Sequence, residues 1–140
     1  MDLTDALSFV TARKQGVVAT IRANGRPQLS NIMYVPGDGG VLRVSITDTR
    51  AKTVNIRRDP RVSLYVVGDT FWQYIVVEGT GELSPVAADP HDDTVEQLIT
   101  YYRAGNGEHE NWDDYRAAMV ADRRLILSIH PERAYGMVAT

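Results

Sequence analysis

The 140-residue chain contains no cysteine, which excludes disulfides, thiolate zinc sites and thiol nucleophiles together. No apolar run approaches the roughly 20 residues that a membrane-spanning helix requires. The opening Met1-Asp2-Leu3-Thr4-Asp5 lacks the basic start and apolar stretch of a secretion signal, so the expected location is cytoplasmic. There is no Gly-rich dinucleotide fingerprint, no Walker-type phosphate loop and no Gly-x-Ser-x-Gly elbow, and no protein-borne nucleophile stands out. His91, His109 and His130 are too widely spaced for a short-range metal motif. His109 between Glu108 and Glu110 reads as a solvated loop, and Asp92-Asp93 and Asp113-Asp114 as carboxylates at helix starts. No metal is expected. Lysine is nearly missing too: Lys14 and Lys52 stand against thirteen arginines, a bias of high-GC genomes.

What remains is an ordinary globular composition, 44% hydrophobic and 24% charged, in a chain long enough to bury one core. A single domain over 1–140 is expected. The net charge of −3 is unevenly spread. Residues 1–77 carry ten Lys/Arg against six Asp/Glu, whereas residues 78–140 carry five against twelve. Between Arg43 and Arg61 the cations Arg43, Arg50, Lys52, Arg57, Arg58 and Arg61 face only Asp48 and Asp59. A local basic patch in an acidic chain suits a compact anionic ligand better than nucleic acid, and neither nucleic acid nor membrane is expected as a partner. On charge alone, a solvated helix face is an equal reading.

Leu3, Ala6, Leu7 and Val10 share one helical face, with Asp2 as N-cap and Gly16 as the stop. Val17–Ile21 and Gln28–Val35 read as strands joined through the Asn24-Gly25 turn. Val41–Thr47 alternates Val41, Arg43, Ser45 and Thr47 with Leu42, Val44 and Ile46, as in a half-buried strand. Thr47-Asp48-Thr49 offers caps for a short helix that ends at Asp59-Pro60. Val62–Val67 and Tyr74–Leu83 read as strands, with Gly79 and Gly81 marking a bulge in the second. After a Pro- and Asp-containing loop come helices around Val95–Tyr102 and Trp112–Val120. The last strand is expected over Leu125–Ile129, ended by Pro131. Six short strands with hairpin signals and few helices predict a mainly β protein built as an antiparallel barrel.

Three stretches carry chemistry. Gly25-Arg26-Pro27-Gln28-Leu29-Ser30-Asn31 runs from a turn into the second strand. Ser45 and Thr47 then lead into a helix start bearing Arg50, Lys52 and Thr53, with Asn55 further along. Free N–H groups, the helix dipole and two cations together favour phosphate, which arginine grips with two parallel hydrogen bonds. Finally, Trp72-Gln73-Tyr74 opens the long strand ending Val77-Glu78-Gly79. The combination suggests a phosphate beside a planar ring. The alternative is that Trp72 and Tyr74 are core residues while Arg50 and Lys52 solubilise a helix.

Over essentially its full length the chain resembles the pyridoxamine-phosphate-oxidase-like split-barrel family, which uses flavins and deazaflavins. Thr49-Arg50-Ala51-Lys52-Thr53 resembles the family's phosphate turn, and Gln73–Gly79 its strand ending in Val-Glu-Gly. Gly25–Asn31, Arg50–Thr53 and Asn111–Arg116 with Asp122-Arg123-Arg124 are similar to the actinobacterial branch that uses coenzyme F420. The resemblance implies a six-stranded split barrel forming a homodimer, with the cofactor between subunits and a small molecule as substrate. It implies that Arg50, Lys52 and Thr53, with Ser45, Thr47 and Asn55 nearby, hold the phosphate. Gln28, Ser30 and Asn31 would line the ring, and Trp72, Gln73 and Tyr74 would reach across from the other subunit. Arg57 and Arg58 would attract the oligoglutamate tail. The implied reaction is hydride transfer from reduced F420 to an electron-poor carbon, with the proton coming from solvent or from Tyr74. FMN is the alternative cofactor, and a non-catalytic carrier of a cofactor or of haem the alternative role. Residues 84–122 are expected to form an insertion over the cleft.

Overall fold

A computed structural model describes residues 1–138. Alternation of apolar and polar residues builds β1 (Gln15–Ile21), β2 (Pro27–Met33), β4 (Leu42–Thr47), β5 (Arg61–Val67) and β6 (Tyr74–Leu83). The two-residue β3 (Val35–Pro36) and the long β7 (Arg124–Met137) complete the sheet. All neighbours are antiparallel in the order β2-β1-β5-β6-β7-β4-β3. The sheet curls into a half-barrel, and β2 comes back beside β4 at an unpaired seam. There are thus seven strands rather than six. The extra one arises because Tyr34 leaves the sheet, its hydroxyl donating to the Val10 carbonyl at 2.7 Å, and the chain re-pairs for only two residues.

One face of each strand fills the barrel with Val18, Ile32, Val44, Ile46, Leu64, Ile75, Leu125 and Leu127. The expected alternation in β4 holds, with Leu42, Val44 and Ile46 buried and Arg43, Ser45 and Thr47 on the outer side. Helix α1 (Leu3–Thr11) closes one end through Ala6 and Val10 and is capped by Asp2 as expected, but it ends at Ala12, well before Gly16. Helix α2 (Ala51–Arg58) adds Ile56 to the core. Its N-cap is Arg50 and no side chain caps it, contrary to the expected cap from Thr47-Asp48-Thr49. The Asp48 carboxylate is instead held by Arg57 and Arg123. Helices α3 (Asp93–Asn106) and α4 (Trp112–Ala121) build a second apolar cluster on the outside of the barrel, where Val95, Leu98, Ile99 and Tyr115 cover Ile126 and Val35. No helix among the described residues is long and apolar enough to cross a membrane.

The last strand also departs from expectation: Pro131 does not end it. The β6–β7 register shifts between Glu78 and Gly79, and Pro131 sits at that bulge opposite Gly79, where a missing N–H costs no ladder bond. A Cβ on Gly79 would lie 2.2 Å from the His130 carbonyl oxygen. Gly79→Ala must therefore push two strands apart and is expected to destabilise the fold by about 1–3 kcal/mol, read as a lowered melting temperature. An unchanged melting temperature would mean that the strands yield freely at this point.

The other face of β2-β1-β5-β6-β7 is apolar and open. Leu29 (63% exposed), Tyr65, Val67, Tyr135 (51%) and Met137 project from it, and the exposed Phe71–Trp72 pair lies in the β5–β6 turn.

Candidate functional site

Outward-facing residues of β4 and β7 meet the β2 edge and the start of α2 at the barrel seam. There they enclose a cleft of about 400 Å³ lined by Ser30, Asn31, Ser45, Thr47, Arg50, Lys52 and Arg124, among others. Six residues singled out from the sequence thus converge from two of the three stretches, Gly25–Asn31 and Ser45–Thr53. Arg124 is the addition. Its signal, the basic Arg123-Arg124 pair just before an apolar strand, was visible, but only strand pairing brings it opposite Thr47.

Arg50, Lys52 and Arg124 have no carboxylate within 4.0 Å among the described residues, whereas Arg13, Arg57, Arg61, Arg103, Arg116, Arg123 and Arg133 each have one. Burial first, and then the charges of Arg50 and Arg124, push the Lys52 ammonium below its ordinary pKa. Like charges gathered without counterions are costly, and an anion in the cleft removes that cost. The Arg124 guanidinium donates to the Ser45 hydroxyl at 3.4 Å, while its Nε and the Ser30 Oγ are buried without a hydrogen-bond partner among the described residues. Buried polar atoms of this kind normally have partners, and here a ligand's oxygens would supply them. The uncapped N-terminus of α2 contributes its partial positive charge to the same place.

A second cleft of about 450 Å³ adjoins the first and shares Asn31, Ile32 and Met33 with it. Its remaining wall is Gln15, Gly16, Val17, Tyr65 and Val67, mostly apolar. One strand therefore has a cationic cleft on one flank and an apolar, aromatic-edged one on the other. That arrangement fits an anionic group attached to a planar ring.

The other residues singled out are placed differently. Thr53 is fully buried and its hydroxyl donates to the Thr47 carbonyl at 2.7 Å, fixing the turn before α2. The Asn55 amide donates to the Thr20 hydroxyl, which donates to the side-chain oxygen Oε1 of Gln28, each at 3.1 Å, so this relay ties α2 to β1 and β2. Arg57 pairs with Asp48, and Arg58 donates to the Ile21 carbonyl and to the side-chain Oδ1 of Asn55. Trp72 (75% exposed) and Gln73 lie in the β5–β6 turn and line neither cleft within one protomer. Gln73 accepts from the Asp69 N–H and donates to the Val138 carbonyl, both at 3.1 Å. Tyr74 stacks on Tyr65 with ring centroids 5.7 Å apart and so reaches the apolar cleft indirectly. The 84–122 segment flanks the cleft instead of covering it. Tyr101 of α3 donates to the Met33 carbonyl at 2.8 Å, and burial raises its phenol pKa, against the lowering influence of the nearby Ser45 backbone and Arg124. None of the three histidines lines either cleft.

Solved structures share this architecture. A conserved hypothetical protein from Mycobacterium tuberculosis is 24% identical, with 99% of this chain and 85% of that chain covered at a TM-score of 0.74. An F420 reductase is 28% identical, with 91% and 94% covered at a TM-score of 0.70. A haem-binding protein from Mycobacterium smegmatis is 17% identical, with 95% and 52% covered at a TM-score of 0.66. The family profile described as pyridoxamine 5'-phosphate oxidase matches residues 4–137, nearly the whole chain, and the protein belongs to that family.

Proposed function

We propose that the protein is a coenzyme F420-dependent oxidoreductase of the actinobacterial branch, a homodimer that reduces an electron-poor small molecule. The observation that carries this reading is the trio Arg50, Lys52 and Arg124, without carboxylate partners among the described residues, beside an apolar cleft that shares its β2 wall. The similarity to an F420 reductase supports the deazaflavin over other rings. In this reading Arg50, Lys52 and Arg124 hold the phosphate, with Ser45, Thr47 and Ser30 completing its hydrogen bonds. Asn31 and Met33 place the ring between the clefts, and Gln28 fixes that strand through Thr20.

The reduced cofactor, when bound, supplies a hydride to a carbon of an activated C=C. The chain's own part is to fix geometry and exclude water from the apolar cleft. A proton must reach the neighbouring substrate atom, and Tyr74, stacked on cleft-lining Tyr65, is the candidate donor. The open apolar sheet face is the surface for the second subunit. Burying it would bring the exposed Trp72 of one protomer toward the clefts of the other, which one protomer alone does not achieve.

FMN is the second reading, because it also joins a phosphate to a tricyclic ring and the family's name denotes an oxidase. A haem carrier is the third reading, although none of the three histidines lines either cleft of one protomer. Parallel titration of the apo-protein with F420, FMN and haem separates these readings. Turnover of reduced F420 with enone, quinone or tetrapyrrole acceptors is then expected. Tight binding of FMN alone, or binding of F420 with no turnover of any acceptor, would overturn the proposal.

A further inference from the structure

The turn that delivers Arg50 and the strand start that delivers Arg124 are joined by a residue outside the cleft. The Asp48 side chain is 14% exposed and accepts from two guanidinium groups at once. Arg57, on the body of α2, reaches one carboxylate oxygen and also the Asp48 carbonyl, the latter at 3.2 Å. Arg123 reaches the other oxygen through Nε at 3.1 Å and Nη2 at 2.7 Å. In return the Asp48 N–H donates to the Arg123 carbonyl at 3.0 Å. These contacts hold the Asp48 carboxyl below the usual carboxylate range.

Arg123 is also the only non-glycine residue with positive φ among the described residues, at 54°. An L-residue adopts that conformation at a cost and keeps it only where its surroundings impose it. Here the surroundings are Asp48 on one side and the end of α4 on the other, where the Arg123 N–H donates to the Val120 carbonyl at 3.1 Å. The next residue is Arg124, paired with Thr47, which itself precedes Asp48.

We infer that Asp48 is a positioning residue for the anion site. By clamping Arg57 and Arg123 it fixes the left-handed turn that aims Arg124 into the cleft and, through the same turn, the placement of Arg50. The inference rests on the proposed cofactor reading, and it assigns a role to a residue that touches no ligand.

The sign of one effect separates positioning from simple electrostatics. Removing a negative charge near a cation cluster strengthens its long-range attraction for anions. If Asp48 acted only through its charge, Asp48→Asn would tighten binding and Asp48→Glu would change nothing. If it positions the cations, both variants loosen binding, because each disturbs the two-sided grip. The test compares ligands differing in their phosphate-bearing tail: F420 against its phosphate-free deazaflavin chromophore, and FMN against riboflavin. Both variants are expected to lose on the order of tenfold in affinity for the phosphate-bearing member while binding the phosphate-free member as the parent does. General damage to the fold would weaken both members together and would overturn the inference, as would unchanged or tighter binding. Arg50→Ala serves as the control. Loss of phosphate preference in Arg50→Ala but not in the Asp48 variants overturns the positioning role alone. Retention of that preference in Arg50→Ala, or its absence from the parent protein, overturns the cofactor reading and this inference with it.

Discussion

Arg50→Ala and Lys52→Ala are each expected to weaken binding of F420, or of FMN if that is the ligand, by roughly tenfold or more. A hydrogen bond to a charged group contributes about 1.5–3 kcal/mol, and about 1.4 kcal/mol is a factor of ten in affinity. The free protein should respond in the opposite direction. Lys52 is half-buried, has no carboxylate partner among the described residues, and its charged form is disfavoured by burial and by Arg50 and Arg124. Removing it relieves repulsion, so the melting temperature without ligand should hold or rise while the increment on adding ligand shrinks. The double variant should lose less than the sum of the two, since both cations would grip one group. Fluorescence titration and thermal melts, with and without cofactor, read both signs. A fall in apo stability together with unchanged affinity would show that these cations serve the fold, not a ligand.

The double substitution Leu29→Glu with Tyr135→Glu is expected to convert the proposed dimer into monomers. Both side chains are more than half exposed in the single chain, so the barrel should fold as before. At a two-fold interface each change appears twice. Each loses part of the 1.5–3 kcal/mol that burying a large apolar side chain provides, and adds the cost of desolvating a carboxylate, so the total is on the order of several kcal/mol. Sedimentation at micromolar concentration should shift from dimer to monomer with circular dichroism unchanged. If the cofactor lies between subunits, its affinity falls in the same variant. A monomeric parent, or a monomeric variant that still binds cofactor tightly, would place the whole site within one chain.

Much of the barrel is legible from local patterns because its strands are two-sided. The alternation in β4 predicts which residues line the core and which face the cleft, and Asn24-Gly25 marks the β1–β2 hairpin. Legibility fails where a pairing partner decides. Pro131 looks like a terminator until Gly79 stands opposite, at a bulge that needs no donor. Asp48 looks like a helix cap because nothing near it in the sequence reveals Arg123, which lies 75 residues away. The site divides along the same line. Ser45, Thr47, Arg50 and Lys52 are close in sequence and could be grouped by motif, whereas Arg124 joins them only through the β4–β7 ladder. Thr53 and Asn55 share the motif's spacing but turn inward to Thr47 and Thr20, a distinction that depends on which side of α2 meets the barrel.

The seam has a consequence for how the chain acquires its ligand. The walls of the cationic cleft come from β2, β4, the start of α2 and the start of β7, so its third cation, Arg124, is made only after all the other walls. A nascent chain lacking β7 has neither Arg124 nor the strand that lies between β6 and β4 and pairs with both. A ligand bound there stabilises only the finished topology and offers no rescue to partly folded forms. Supply of the proposed cofactor should therefore slow unfolding and degradation of completed molecules without speeding the slow, long-range closure of the sheet.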